Sequence, residues 1–183
     1  MKRKFIREKI QEVLKAAKIP GVDQDVFCRK STPHDDESLP YIIIYTNTEN
    51  AQRFDEAPKR YKRSLEIVVE CISIESTDQE LCDELDALSY DVENAIESNK
   101  TLQGFEPFDN NGSCLEDTEV TSIQYDSQSD GSSPIGAVRL TYSITYIDKP
   151  YTEKTFNEFN TVETEWKIGD HGENKAIDNV TIP

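Results

Sequence analysis

Between Leu65 and Ile74 most residues are β-branched or apolar, and the run ends at a Ser-rich corner, the composition of a strand buried on at least one face. From Thr77 the period changes. Leu81, Leu85, Leu88, Val92 and Ile96 recur at spacings of three and four, which places them on one helical stripe that would lie on the sheet. Thr77 opens this helix as a capping box: its hydroxyl can accept from the Glu80 N–H, the Glu80 carboxylate can reach back, and Asp78 adds negative charge at the positive end of the helix dipole. An earlier helix is predicted from Phe5, Ile6, Ile10, Val13, Leu14 and Ala17, and Pro20-Gly21 stops it. Strict alternation is clearest from Ile135 to Ile147. There Val138, Leu140, Tyr142, Ile144 and Tyr146 share one face and Arg139, Thr141, Ser143 and Thr145 the other, so a long strand with one wet face is expected.

The weaker patterns fill in the order. Asp25 to Arg29 suits a short strand, and Leu39 to Thr46 (LPYIIIYT) is a continuous apolar run, the mark of a strand at the sheet centre or covered on both faces. From Asn47 to Lys62 the chain is polar without periodicity, which predicts a long arm in loop conformation. That arm returns directly into the 65–74 strand, so the strands on either side of it should be antiparallel neighbours. Thr101 to Asp117 reads as connection, Glu119 to Tyr125 as a loosely alternating strand, and DSQSDGSSP as a turn-rich loop. Residues 1–147 are thus expected to form one domain, and 148–183 a polar C-terminal extension whose few aromatics, such as Tyr151, Phe156 and Trp166, anchor it on its own domain or on an adjacent subunit, with a mobile end.

Charge changes the picture more than composition does. The net charge of -16 disfavours binding to nucleic acid or an anionic membrane, because phosphates would be repelled. It is unevenly spread. Residues 1–18 carry seven Lys/Arg against two Glu, residues 53–63 carry five against two acids, and the stretch from Ser64 to Ser133 holds eighteen Asp/Glu with the single base Lys100. Such an acidic helix can simply be a solvated face; it can also be the partner of the basic islands on another copy, which would select the register of a head-to-tail contact. A mean hydropathy of -0.67 implies much surface, loop or extension. No apolar run is long enough to span a bilayer and the N-terminal stretch has no apolar h-region, so a soluble protein not secreted by the usual route is expected.

Candidate chemistry is sparse. Cys28, Cys71, Cys82 and Cys114 form no CxxC pair and read as reduced thiols. His34, Asp35, Asp36 and Glu37 are adjacent in a loop and cannot all face one ion without further ligands, while His171 sits in a Gly-rich tail, so no metal site is expected. Phosphate-binding glycine loops, the GxSxG elbow and HExxH are absent from the sequence, and with thirty-six Asp/Glu, close carboxylate pairs arise by chance. No enzymatic activity and no cofactor are expected.

Taken together, the N-terminal helix, the LPYIIIYT strand, the polar arm, KRYKR leading into SLEIVVECI, the capped helix LCDELDALSYDVENAI, TLQG and the final IGAVRLTYSITY strand resemble the tail terminator proteins (minor tail protein U-like) of long-tailed bacteriophages and prophages. The resemblance covers roughly residues 3–147, and its most specific part is Arg63 before the strand, Asp86, Val92 and Glu93 in the helix, then Leu102. It implies an α+β subunit in which a mixed, mostly antiparallel sheet of about four to five strands is flanked by two main helices. It further implies a hexameric ring that ends growth of the tail tube and joins the head connector. The protein would be made in the host cytoplasm and carried in the virion at the head–tail junction, with itself, the tail tube protein and a head-completion protein as partners. DNA would pass an acidic lumen without specific binding. Lys59, Arg60, Lys62, Arg63, Asp86 and Glu93 are the candidates for subunit or tube contacts. Two other readings remain open: another head–tail or tail-tube-like ring protein, and a small enzyme or ligand-binding module, which would need a concave pocket with convergent polar groups.

Overall fold

The structure, a computed structural model, describes residues 2–28, 39–57, 59–99, 115–128 and 133–147, together with the backbone of 161–167 and 175–181. It falls into two compact units, Met1–Pro150 and Tyr151–Pro183.

The first unit is an α+β domain. Helix α1 spans Lys2–Ala17 and α2 spans Asp78–Glu97. Five strands, β1 (Val26–Cys28), β2 (Tyr41–Glu56), β3 (Lys59–Ile74), β4 (Leu115–Gln128) and β5 (Ile135–Ile147), form a sheet in the order β1-β2-β3-β5-β4. The β1–β2 pair is parallel and the other pairs are antiparallel. Both helices lie on one face of this sheet. Their stripes, Ile6, Ile10 and Leu14 from α1 and Leu81, Leu85, Leu88, Val92 and Ile96 from α2, close over Ile42, Ile44, Leu65, Ile67, Val69, Val138, Leu140, Tyr142 and Ile144. Phe5 and Ala17 stand outside the buried stripe, so α1 uses a narrower face than its sequence pattern predicts. The cap of α2 is present: Thr77 Oγ1 accepts from the Glu80 N–H at 3.2 Å.

One position sets how closely α2 approaches the sheet. Gly136 in β5 lies where a Cβ would stand 2.9 Å from Leu85 Cδ1 and 3.1 Å from Leu81 Cδ2. Gly21, with φ of +78°, makes the turn after α1 in a conformation that glycine adopts without strain.

The expected loop at Asn47–Lys62 is instead most of a β-hairpin. β2 continues to Glu56 and β3 begins at Lys59, with pairing unbroken from Glu49↔Leu65 to Arg53↔Tyr61 and then Asp55↔Arg60 and Glu56↔Lys59. Register shifts at Thr46/Glu49 and Arg53/Asp55 let this ribbon bend and twist. In the ribbon, backbone pairing satisfies the groups that face the partner strand and water can satisfy the outward ones, so its formation imposes no apolar period. The apolar run at 39–46 is also corrected: β2 lies between β1 and β3, but only Ile42 and Ile44 are fully buried, while Tyr41, Ile43 and Tyr45 on the opposite face are half-exposed.

In the second unit β6 (Thr161–Lys167) and β7 (Lys175–Thr181) pair antiparallel as a hairpin. Regular structure thus extends into the segment expected to be a plain extension. The His34–Glu37 loop, Lys100, Leu102, Cys114 and His171 lie outside the described residues.

Candidate functional site: the β2–β3 ribbon and its surroundings

Among the described residues, strand β5 pairs with β3 from Lys62, opposite Ile147, onward, and β1 pairs with β2 at Ile42–Ile44. Among the described residues, Arg53–Glu56 and Lys59–Tyr61 therefore pair only with each other, as a two-stranded ribbon running past the sheet. Side chains at its tip are tied to one another. Arg60 donates to Asp55, with Nε 2.7 Å from Oδ2, and its guanidinium lies 5.2 Å from the Phe54 ring centroid. Arg53 meets Glu56 at 3.4 Å, and Lys59 lies 5.4 Å from the ring centroid of Tyr61. Phe54 remains 46% exposed.

At the root of the ribbon a carboxylate is buried. The Glu49 side chain is only 6% exposed and holds Arg63 Nη1 at 3.2 Å; it also accepts from Arg3 of α1, with Nε at 2.9 Å, and from the Tyr146 hydroxyl of β5. Burial alone would push the Glu49 carboxyl up, but hydrogen bonds from Arg3 and Tyr146, with the charges of Arg3 and Arg63, outweigh it and hold the group below the usual carboxylate range. Glu49 thus ties three elements to the ribbon. Nothing in the sequence marks it: an acid in a polar run acquires this role only when α1 and β5 arrive.

The sequence candidates are not gathered into one cluster. Arg63 points to Glu49, Lys62 pairs across to Glu116 of β4 at 2.9 Å, and Arg60 pairs with Asp55. Lys59 is exposed and meets no carboxylate among the described residues. Asp86 and Glu93 lie on α2, Asp86 exposed and Glu93 half-buried. Asp86, Asp83 and Asp91 form no ion pair with a described base, and the exposed stripe they border carries Tyr90 at 66% exposure.

On the sheet face opposite the helices, Arg139 bridges β3 and β4, 2.6 Å from Glu70 and 3.8 Å from Asp126. Open depressions of about 200 and 370 Å³ flank it, the first bordered by Ile72 and Ala137, the second by Tyr45 and Thr141. Both open to solvent on the sheet face, and the second is lined mostly by polar side chains, Asn47, Glu66 and Gln124 among them. Among the described residues no group of three His, Cys, Asp or Glu is placed to hold a metal ion. The Cys71 thiol is pushed up to about 12 by burial and then by the Glu70 charge, which leaves it unreactive near neutral pH. Among the described residues no helix is long and apolar enough to cross a membrane. No protein-family model and no curated protein matches the chain.

Proposed function

We propose that the chain is a structural subunit of a long-tailed phage or prophage particle, closing as a hexameric ring on the end of the tail tube, stopping its growth and offering a surface to the head-completion protein. The observation that carries this reading is the ribbon. A two-stranded hairpin without a packed face is at best marginal in water, yet the tip of this one pairs, among the described residues, only with itself, leaves Phe54 exposed and is anchored at its root through a buried carboxylate. Such an element suits a contact with another molecule. The chain also carries unlike surfaces, namely the ribbon, an acidic helix whose exposed aspartates form no ion pair with a described residue, and a half-exposed sheet face. Unlike patches are what a head-to-tail contact requires if its rotation is to close into a ring. The order of elements that resembles the tail terminators supports the same assignment, and acidic surfaces would let DNA pass a lumen unheld.

The test is tube growth. Tail tube protein polymerised with and without the purified chain, measured in negative stain, should give shorter tubes with a collar at one end when the chain is present. Unchanged lengths with bare ends would refute the assignment.

A further inference from the structure

We infer that the ribbon tip of one copy docks on the exposed stripe of α2 in the next copy, with Phe54 packing beside Tyr90 and Lys59 meeting Asp83 or Asp86. This rests on the ring reading above and names the two surfaces that would meet. The basic residues of the ribbon divide by what they already touch. Arg63, Lys62 and Arg60 have acids in their own chain, at Glu49, Glu116 and Asp55. Among the described residues Lys59 meets only Tyr61 and no carboxylate, so its charge is available at the tip. The helix is its complement: α2 has eight acids and no base, and its exposed Asp83 and Asp86 form no ion pair with a described residue. Asp86 and Tyr90 are one helical turn apart, and Asp83 lies a further turn back on the same side. An exposed aromatic beside carboxylates suits a partner that brings an aromatic beside cations, which is the make-up of the tip, with Phe54, Arg60 and Lys59. The contact is heterologous, so each copy offers its tip to one neighbour and its helix to the other, and a closed ring leaves neither unused.

The experiment is zero-length carbodiimide crosslinking of a mixture of ¹⁴N- and ¹⁵N-labelled full-length chains, with mass mapping of the mixed-isotope products and sedimentation over a range of concentrations. The expected result is an interchain link from Lys59 to Asp83 or Asp86. Lys59→Glu should weaken association about tenfold or more, and Lys59→Glu combined with Asp86→Lys should recover most of it. Circular dichroism of each variant establishes that the fold is kept. If rings form but every interchain link avoids α2, the docking is wrong and the ring reading stands. If no concentration gives association or interchain links, both fall.

Discussion

Arg63 and Glu49 meet across the root of the β2–β3 ribbon, their side chains 3.2 Å apart, and Glu49 also accepts from Arg3 and Tyr146. One residue comes from each strand of the hairpin, and the other two partners come from α1 and β5. The pair therefore fixes the direction in which the ribbon leaves the domain. Replacing Glu49 by Ala removes the acceptor that Arg3, Arg63 and Tyr146 share, and should cost about 1–3 kcal/mol, the range for taking one partner from a buried polar group. Urea unfolding measures the loss. Hydrogen exchange should show the ribbon amides released before those of the core strands.

The same carboxylate makes stability depend on pH. Glu49 is held below the ordinary value of about 4.3 for an unfolded glutamate, so its contribution is complete above that pH and is lost as pH falls through its folded value. The urea midpoint of the wild type should therefore drop between pH 5 and the acid limit of folding, with a shallower drop in Glu49→Gln. Glu84 has the opposite sign. Burial, then the charges of Glu75 and Asp91, push its carboxyl up, so ionising it opposes folding. Glu84→Gln should gain a few tenths of a kcal/mol at neutral pH, on the order of other like-charge relief at a helix surface, and the gain should vanish as pH falls through the folded Glu84 range.

Gly136 tests the packing of α2 on the sheet. Its added Cβ would stand 2.9 Å from Leu85 Cδ1 and 3.2 Å from the Asp126 carbonyl oxygen, and the backbone atom cannot move aside cheaply. Gly136→Ala should destabilise by about 1–3 kcal/mol. Combined with Leu85→Ala it should cost less than the two single changes added, because the shortened side chain opens the space the methyl needs. Thermal melts of the four proteins complete the cycle.

The elements with one buried face were legible in the sequence, and those without were not. The α2 stripe from Leu81 to Ile96 and the alternation from Val138 to Tyr146 survive intact because burial on one side imposes a period. Residues 47–62 carry no such period, since among the described residues the ribbon packs no apolar face on the core, its one buried side chain at the root being the Glu49 carboxylate, and its pairing is made by the backbone, which any polar residue can supply. The site was legible as charge and not as geometry. KRYKR announced a basic patch, but only the fold assigns Arg63 to Glu49 and Lys62 to Glu116, leaving Lys59 at the tip.

Shortening the ribbon separates folding from assembly. Replacing residues 53–61 by Asn-Gly joins Gln52 to Lys62, which already face each other, through a two-residue turn. Because the tip makes its ion pairs and ring contacts within the hairpin, the thermal midpoint should move by no more than a few degrees, the shift expected for about 1 kcal/mol in a domain of this size. Self-association should be lost.

Native mass spectrometry of the full-length chain across micromolar to millimolar concentrations tests self-association through unlike patches most directly. One closed species, a hexamer, should grow at the expense of the monomer without a ladder of larger forms and be absent from the shortened-ribbon protein. A monomer at every concentration, or a dimer that persists unchanged when the ribbon is shortened, would contradict it.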